Sequence, residues 1–257
     1  MSDNIHHAAA DGYATAAASY VKGRPDYPPE VSAWLKDALG LRPGVTVLDL
    51  GAGTGKFTPR LLDTGATVIA VEPVPAMLAK LSAALPQVTA LAGAATAIPL
   101  PDASVDAVVC AQAFHWFATP AALDEILRVL KPGGRLGLVW NLRDASVPWV
   151  ARLDAIVNRA EGDTPRYYTG AWRQAFPHAG LSPLQETHFS HGHTGSAEDV
   201  LFNRVRSTSF IAALPPQERQ RIDDDIGQLI AAEPALRGQD VVTVPYRTAA
   251  FVAHKLG

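Results

Sequence analysis

The chain has 257 residues, 48% of them hydrophobic, which suits one α/β domain with an elaboration and an ample core. A formal net charge of -3 gives no electrostatic reason to expect a nucleic-acid partner, and no apolar run reaches membrane-spanning length. The single cysteine, Cys110, excludes an internal disulfide and fits a reducing cytosol, so a cytoplasmic protein is expected.

The first ten residues, M-S-D-N-I-H-H-A-A-A, lack the basic and apolar regions of a signal peptide. Residues 8–21 are alanine-rich, with Tyr13 and Tyr20, and predict a helix. K-G-R-P-D-Y-P-P at 22–29 cannot continue it, because proline holds its neighbours extended or in turns. A helix resumes at 30–39, with Val31, Trp34, Leu35 and Ala38 on one face. Strands and helices then alternate. Strands are predicted from 45, at 67–71, 88–91, 106–111 and 135–140, and helices at 56–62, 75–85 and 120–130. Lys131-Pro132-Gly133-Gly134 reads as a helix stop and turn. Such alternation implies a parallel sheet with right-handed crossovers. After Asn141 it ceases. Helices are predicted at 147–160, 197–205 and 216–232, an irregular aromatic stretch at 163–177, and strands at 184–191, 241–246 and 249–254. The expected division is an N-terminal helical lid (1–40), a nucleotide-binding core (41–145), and a remainder (146–257) that completes the sheet and caps its C-terminal edge.

Residues 45–58, V-T-V-L-D-L-G-A-G-T-G-K-F-T, organise the rest. An apolar run reads as a strand buried on both faces. Gly51, Gly53 and Gly55 follow at every second position, where side chains would keep the backbone from a ligand. The helix after them turns its free N–H groups toward the loop. Strand, glycine loop and helix start make a nucleotide-binding corner. Lys56 stands where a dinucleotide fingerprint has its third glycine, and Gly55-Lys56-Phe57 breaks a Walker loop. Glu72 ends the next apolar run, about twenty residues past the loop, where an acid accepts hydrogen bonds from a ribose diol.

The spacing Asp49-x-Gly51-x-Gly53-x-Gly55 resembles motif I of the Rossmann-like S-adenosylmethionine-dependent methyltransferases. V-E-P-V-P-A-M-L at 71–78, G-A-A-T-A-I-P-L-P-D-A-S-V-D at 93–106, A-F-H-W-F at 113–117 and R-V-L-K-P-G-G at 128–134 look like the type 11 group, which includes ubiquinone-biosynthesis and trans-aconitate methyltransferases. The resemblance covers residues 10–140 well and the rest weakly. It implies a doubly wound α/β fold, a mostly parallel seven-stranded sheet with one antiparallel strand, and S-adenosylmethionine as cofactor, leaving as S-adenosylhomocysteine. It implies that Asp49, Gly51, Ala52, Gly53 and Gly55 form the cofactor loop and that Glu72 binds the ribose hydroxyls. Pro73 and Met77 would pack on the adenine, with Ala94, Ala95 and Thr96 at its edge. Gln112 would lie near the methionine part. The family usually places an adenine-contacting acid where this chain has Ala94.

Methyl transfer from a sulfonium is a direct displacement whose leaving group is already activated, so the protein supplies alignment and a dry cavity. A base is needed only where the acceptor holds a proton. His115 is the candidate base or acceptor-orienting group, and Trp116 could donate its indole N–H to a substrate oxygen. The pair also resembles one in carboxyl methyltransferases, which brings in a carboxylate acceptor. Tyr20 and Arg24 are candidates for the methionine carboxylate or an acidic substrate, with Tyr27 beside them. Trp140, Asn141 and Arg143 should border the acceptor pocket. His188 and His191 are three apart on a predicted strand and face opposite sides, so with His193 they do not compose a metal site. The expected function is methylation of an oxygen or carbon of a small molecule, with no nucleic-acid or membrane partner. Two rivals remain: a cofactor-binding protein without transferase activity, and a nicotinamide-dependent oxidoreductase.

Overall fold

A seven-stranded sheet runs through the computed structural model, which describes residues 24–257; the helix expected at 8–21, and Tyr20 with it, lie outside these residues. The chain enters through helix α1 (Glu30–Asp37), which buries Val31, Trp34 and Leu35. Strand β1 (Thr46–Leu50), helix α2 (Thr58–Leu62), strand β2 (Thr67–Glu72), helix α3 (Pro75–Ala84) and strand β3 (Thr89–Ala92) follow. Strand β4 (Val105–Ala111), helix α4 (Pro120–Val129) and strand β5 (Leu130–Arg143) complete the alternating part. Helix α5 (Pro148–Asn158), strand β6 (Gln185–Gly195), helix α6 (Pro216–Ala232) and strand β7 (Val242–His254) make up the rest.

The strand order is β3-β2-β1-β4-β5-β7-β6. β1 to β5 pair in parallel, whereas β7 is antiparallel to both of its neighbours. Alternate residues of one strand feed the two faces of the sheet. Leu48 and Leu50 enter one apolar cluster with Phe114, Trp140 and α4, and Val47 enters the other with α1 and Leu61. A third cluster joins α5, α6 and the first half of β7 beyond the sheet's edge. Connections leave β1 in opposite directions, toward β2 on one side and β4 on the other. That switch point opens a crevice beyond the strands' C-terminal ends, where open α/β sheets bind ligands.

Several boundaries differ from those read in the sequence. β5 begins at Leu130, so Lys131-Pro132-Gly133-Gly134 lies within the strand instead of forming a turn, and β6 runs on to Gly195. α2 begins at Thr58 rather than Lys56, with Pro59 in its first turn, so Lys56 and Phe57 stay in the loop. The two closing strands are one continuous β7, since Pro245 lies past the end of β5, where a missing N–H costs the ladder least. The helix expected at 197–205 is a π-helical turn (Glu198–Asn203) running into a short α-turn (Arg204–Arg206).

Candidate active site

The switch point holds a cavity of about 370 Å³, within the range of small-molecule and cofactor sites. Its floor is the end of β1 and the glycine loop. Asp49 is almost fully buried, and its Oδ2 accepts from Thr58 Oγ1 at 2.7 Å. Its Oδ1 is enclosed and accepts from no group among the described residues. Burial, partly countered by Thr58 and reinforced by the Glu72 charge, pushes the Asp49 carboxyl up to about 7. Glu72, at the end of β2, accepts from Gly53 N–H at 2.8 Å and Val74 N–H at 2.9 Å. Burial raises its pKa, and those two backbone donors oppose the rise. One carboxylate thus fixes the glycine loop and the start of α3 together.

The three glycines do different work. Gly53 has φ +60, and a Cβ there would meet only Met77 Sδ at 3.9 Å, so its face opens on the cavity. Gly55 turns away: a Cβ would come within 3.0 Å of Leu85 Cδ1 and 3.1 Å of Leu81 Cγ, so it packs loop on α3 and does not line the cavity. Gly51 abuts Ala113 and Phe117.

Most sequence-selected residues converge here. Asp49, Gly51, Ala52, Gly53, Glu72 and Pro73 line the cavity. So do Met77, Ala94, Ala95 and Thr96 on the opposite wall, and Gln112, Trp116 and Arg24 at the inner end. Lys56, Phe57 and Tyr27 also line it; Tyr27 meets Phe57 edge-on at 4.7 Å between ring centroids. Among the described residues, Asp49 and Glu72 supply the carboxylates of this lining.

His115 does not line this cavity. It borders a second, smaller pocket of about 80 Å³, reached past Gln112 and Trp116. Gln112 is held at φ +56, uncommon outside glycine, and donates from Nε2 to Asn141 O at 2.9 Å. Asn141 in turn donates to Asp26 O at 3.1 Å and accepts from Thr248 Oγ1, tying the N-terminal segment to β5 and β7. Trp140 Nε1 donates to His115 Nδ1 at 3.1 Å. An indole only donates, so Nδ1 is the acceptor and the neutral ring carries its proton on Nε2. Burial, helped by the Arg166 and Arg24 charges, pushes His115 down to about 3, so it is neutral at physiological pH. Trp140, Asn141 and Arg143 border this pocket. Tyr168, from the aromatic stretch at 163–177, borders it too, as do Arg166, Arg204 and Phe210, which no sequence pattern marked. Tyr167 and Trp172 stack behind on Trp140, at centroid distances of 5.2 and 4.7 Å, so the aromatic stretch at 163–177 is the pocket's outer wall. Among the described residues, no group of three or more His, Cys, Asp or Glu could hold a metal ion, and no helix is long and apolar enough to cross a membrane.

The family profile described as a methyltransferase domain matches residues 48–138. An uncharacterised methyltransferase-like protein of Schizosaccharomyces pombe is 39% identical over 244 residues, 95% of each chain. An uncharacterised methyltransferase of Mycobacterium tuberculosis is 43% identical over 236 residues, 92% of each chain. The solved structure of a candidate type II methyltransferase from Anaeromyxobacter dehalogenans is similar with a TM-score of 0.60 at 26% identity, covering 90% of this chain and 96% of that one.

Proposed function

This chain belongs to the methyltransferase family, and we propose that it moves a methyl group from S-adenosylmethionine to an oxygen or carbon of a small molecule. The observation that carries the reading is Glu72. Its carboxylate is pinned on Gly53 and Val74 and borders a cavity sized for a nucleoside cofactor, leaving lone pairs for a ribose diol. In the transfer, an acceptor lone pair forms the bond to the methyl carbon. The carbon–sulfur bond breaks with its electron pair remaining on sulfur, and any proton the acceptor held passes to solvent. The chain supplies alignment and excludes water.

Calorimetry is the direct test. S-adenosylmethionine and S-adenosylhomocysteine should bind, and NAD and NADP should not bind comparably. Preferential NAD binding would revive the oxidoreductase reading. Tight cofactor binding with no methyl transfer to any pooled small molecule would leave the binding-protein reading.

We further read His115 as orienting the acceptor rather than as a base. Nδ1 is engaged by Trp140 and Nε2 already bears the proton, so neither nitrogen is open to take another. The rate should show no rising limb near pH 6.5, and His115→Ala should raise the Michaelis constant more than it lowers turnover. A limb near 6.5 that vanishes in His115→Ala would reinstate the base.

A further inference from the structure

Among the described residues, four arginines line the second pocket, Arg24, Arg143, Arg166 and Arg204, and no acidic residue does. Guanidinium groups stay ionised in proteins, so this pocket is strongly positive. Acids behind the wall compensate two of them. Arg143 Nε donates to Asp154 Oδ1 at 2.5 Å, and Arg166 Nη1 lies 3.5 Å from Glu161 Oε2. Arg204 has no acidic partner among the described residues; it donates from Nη1 to Thr208 Oγ1 at 3.2 Å. Arg143 Nη1 and Arg204 Nε are enclosed with no hydrogen-bond partner among the described residues, whereas Arg166 Nη1 is turned to Glu161. Buried donors of charged groups are costly to leave unmade, and each such group calls for an explanation. Both belong to side chains that line one small space. Arg204 also follows directly on the π-helical turn, a distortion frequent at functional sites.

We propose that this pocket is the anion site of the methyl acceptor. The acceptor carries a carboxylate or phosphate group that seats among Arg143, Arg166 and Arg204, with the His115 Nε2–H as a neutral donor. The inference rests on the methyl-transfer reading and adds the substrate class to it. At about 80 Å³ the space has room for one such group. Arg24, Gln112, Trp116, Asn141 and Arg204 line both cavities, so an acceptor anchored here extends into the cofactor cavity. Arginine suits the role because its fork meets the planar oxygens of carboxylate or phosphate with paired hydrogen bonds.

The test uses protein saturated with S-adenosylhomocysteine and titrated with sodium acetate, inorganic phosphate or neutral acetamide. Acetate or phosphate should bind, acetamide should not, and Arg204→Met should weaken anion binding by at least about tenfold. Arg204→Lys keeps the charge and loses the fork, so it should retain part of the affinity and guard against a folding defect. With labelled cofactor, the acceptor activity of a small-metabolite extract should reside in the fraction retained by an anion-exchange resin. Loss of that activity after phosphatase treatment assigns phosphate, and persistence assigns carboxylate. Anion binding absent from the wild type or untouched by Arg204→Met, or acceptor activity confined to the neutral fraction, overturns the proposal. Failure of S-adenosylhomocysteine to bind the wild type overturns instead the reading on which it rests.

Discussion

Glu72→Ala is expected to weaken S-adenosylmethionine binding by about ten- to hundredfold. Two hydrogen bonds from ribose hydroxyls to a carboxylate are worth roughly 1.5–3 kcal/mol each before water competes for the same donors, and tenfold in affinity is about 1.4 kcal/mol. The structure adds a second route to the same loss. Glu72 holds Gly53 N–H and Val74 N–H, so its removal also releases the loop that contacts the cofactor. The ligand-free protein should melt close to the wild type. Those two N–H groups border a cavity that water enters, and a carboxylate whose pKa is raised by burial was itself costly to ionise. Glu72→Gln keeps one acceptor oxygen and should lie between. Calorimetry on the three proteins decides the matter: equal affinities would remove the ribose from Glu72.

Asp49→Asn should make the ligand-free protein more stable and its cofactor complex weaker. In the fold the carboxyl is pushed up to about 7 from 3.8, chiefly by burial. A raised acid favours the protonated folded form. The penalty is therefore absent below about 3.8, grows as pH rises toward 7, and is complete above it. A shift of that size corresponds to roughly 3–5 kcal/mol, of which a buried amide gives back only part. The substitution should thus add about 1–3 kcal/mol of stability at pH 8, less at pH 5.5, and Tm should follow. The amide oxygen can still accept from Thr58 Oγ1, so the local bond survives. Its cost appears with ligand. Asp49 lines the cavity and its Oδ1 has no donor among the described residues, so the ammonium of S-adenosylmethionine seated beside it would relieve it. Affinity in the wild type should rise through pH 7, and Asp49→Asn should lose at least about tenfold together with that pH dependence. Melting curves across pH without a stability gain would show that the carboxyl is not strained in the free protein.

The sheet was legible because its signals are local. Apolar runs such as Val47 to Leu50, glycines at fixed spacing and an acid at the next strand's end are short-range patterns, and they carried Asp49, Gly53 and Glu72 to one cavity. Gly55 is the loop glycine whose packing was not legible, because spacing cannot tell a glycine that opens on a cavity from one that packs on Leu81 and Leu85. The second pocket was legible only on the side where it touches those patterns, at Arg24, Gln112, His115, Trp116, Trp140, Asn141 and Arg143. Arg166 and Arg204 come from separate stretches of the C-terminal part, and only tertiary packing sets them beside His115. In the sequence they are two arginines among ordinary surface charges. The tautomer of His115 was equally invisible, since it depends on a tryptophan 25 residues away across neighbouring strands.

The pairing of Gly195 with Val242 brings the two ends of the intervening segment side by side. Everything between them, including Arg204, leaves the sheet and returns to the same place. Such an excursion resembles a loop on a hairpin more than a link in the fold, and insertions at closed points of this kind are well tolerated. It gives the architecture a natural splice site. A relative's segment grafted at 195 and 242 would leave this chain's nucleotide loop, Arg24, Arg143 and Arg166 unchanged while replacing Arg204 and its neighbours in the second pocket. Chimaeras built there should keep S-adenosylhomocysteine affinity and exchange acceptor preference, and lineages of this family could have diversified their substrates by the same cut.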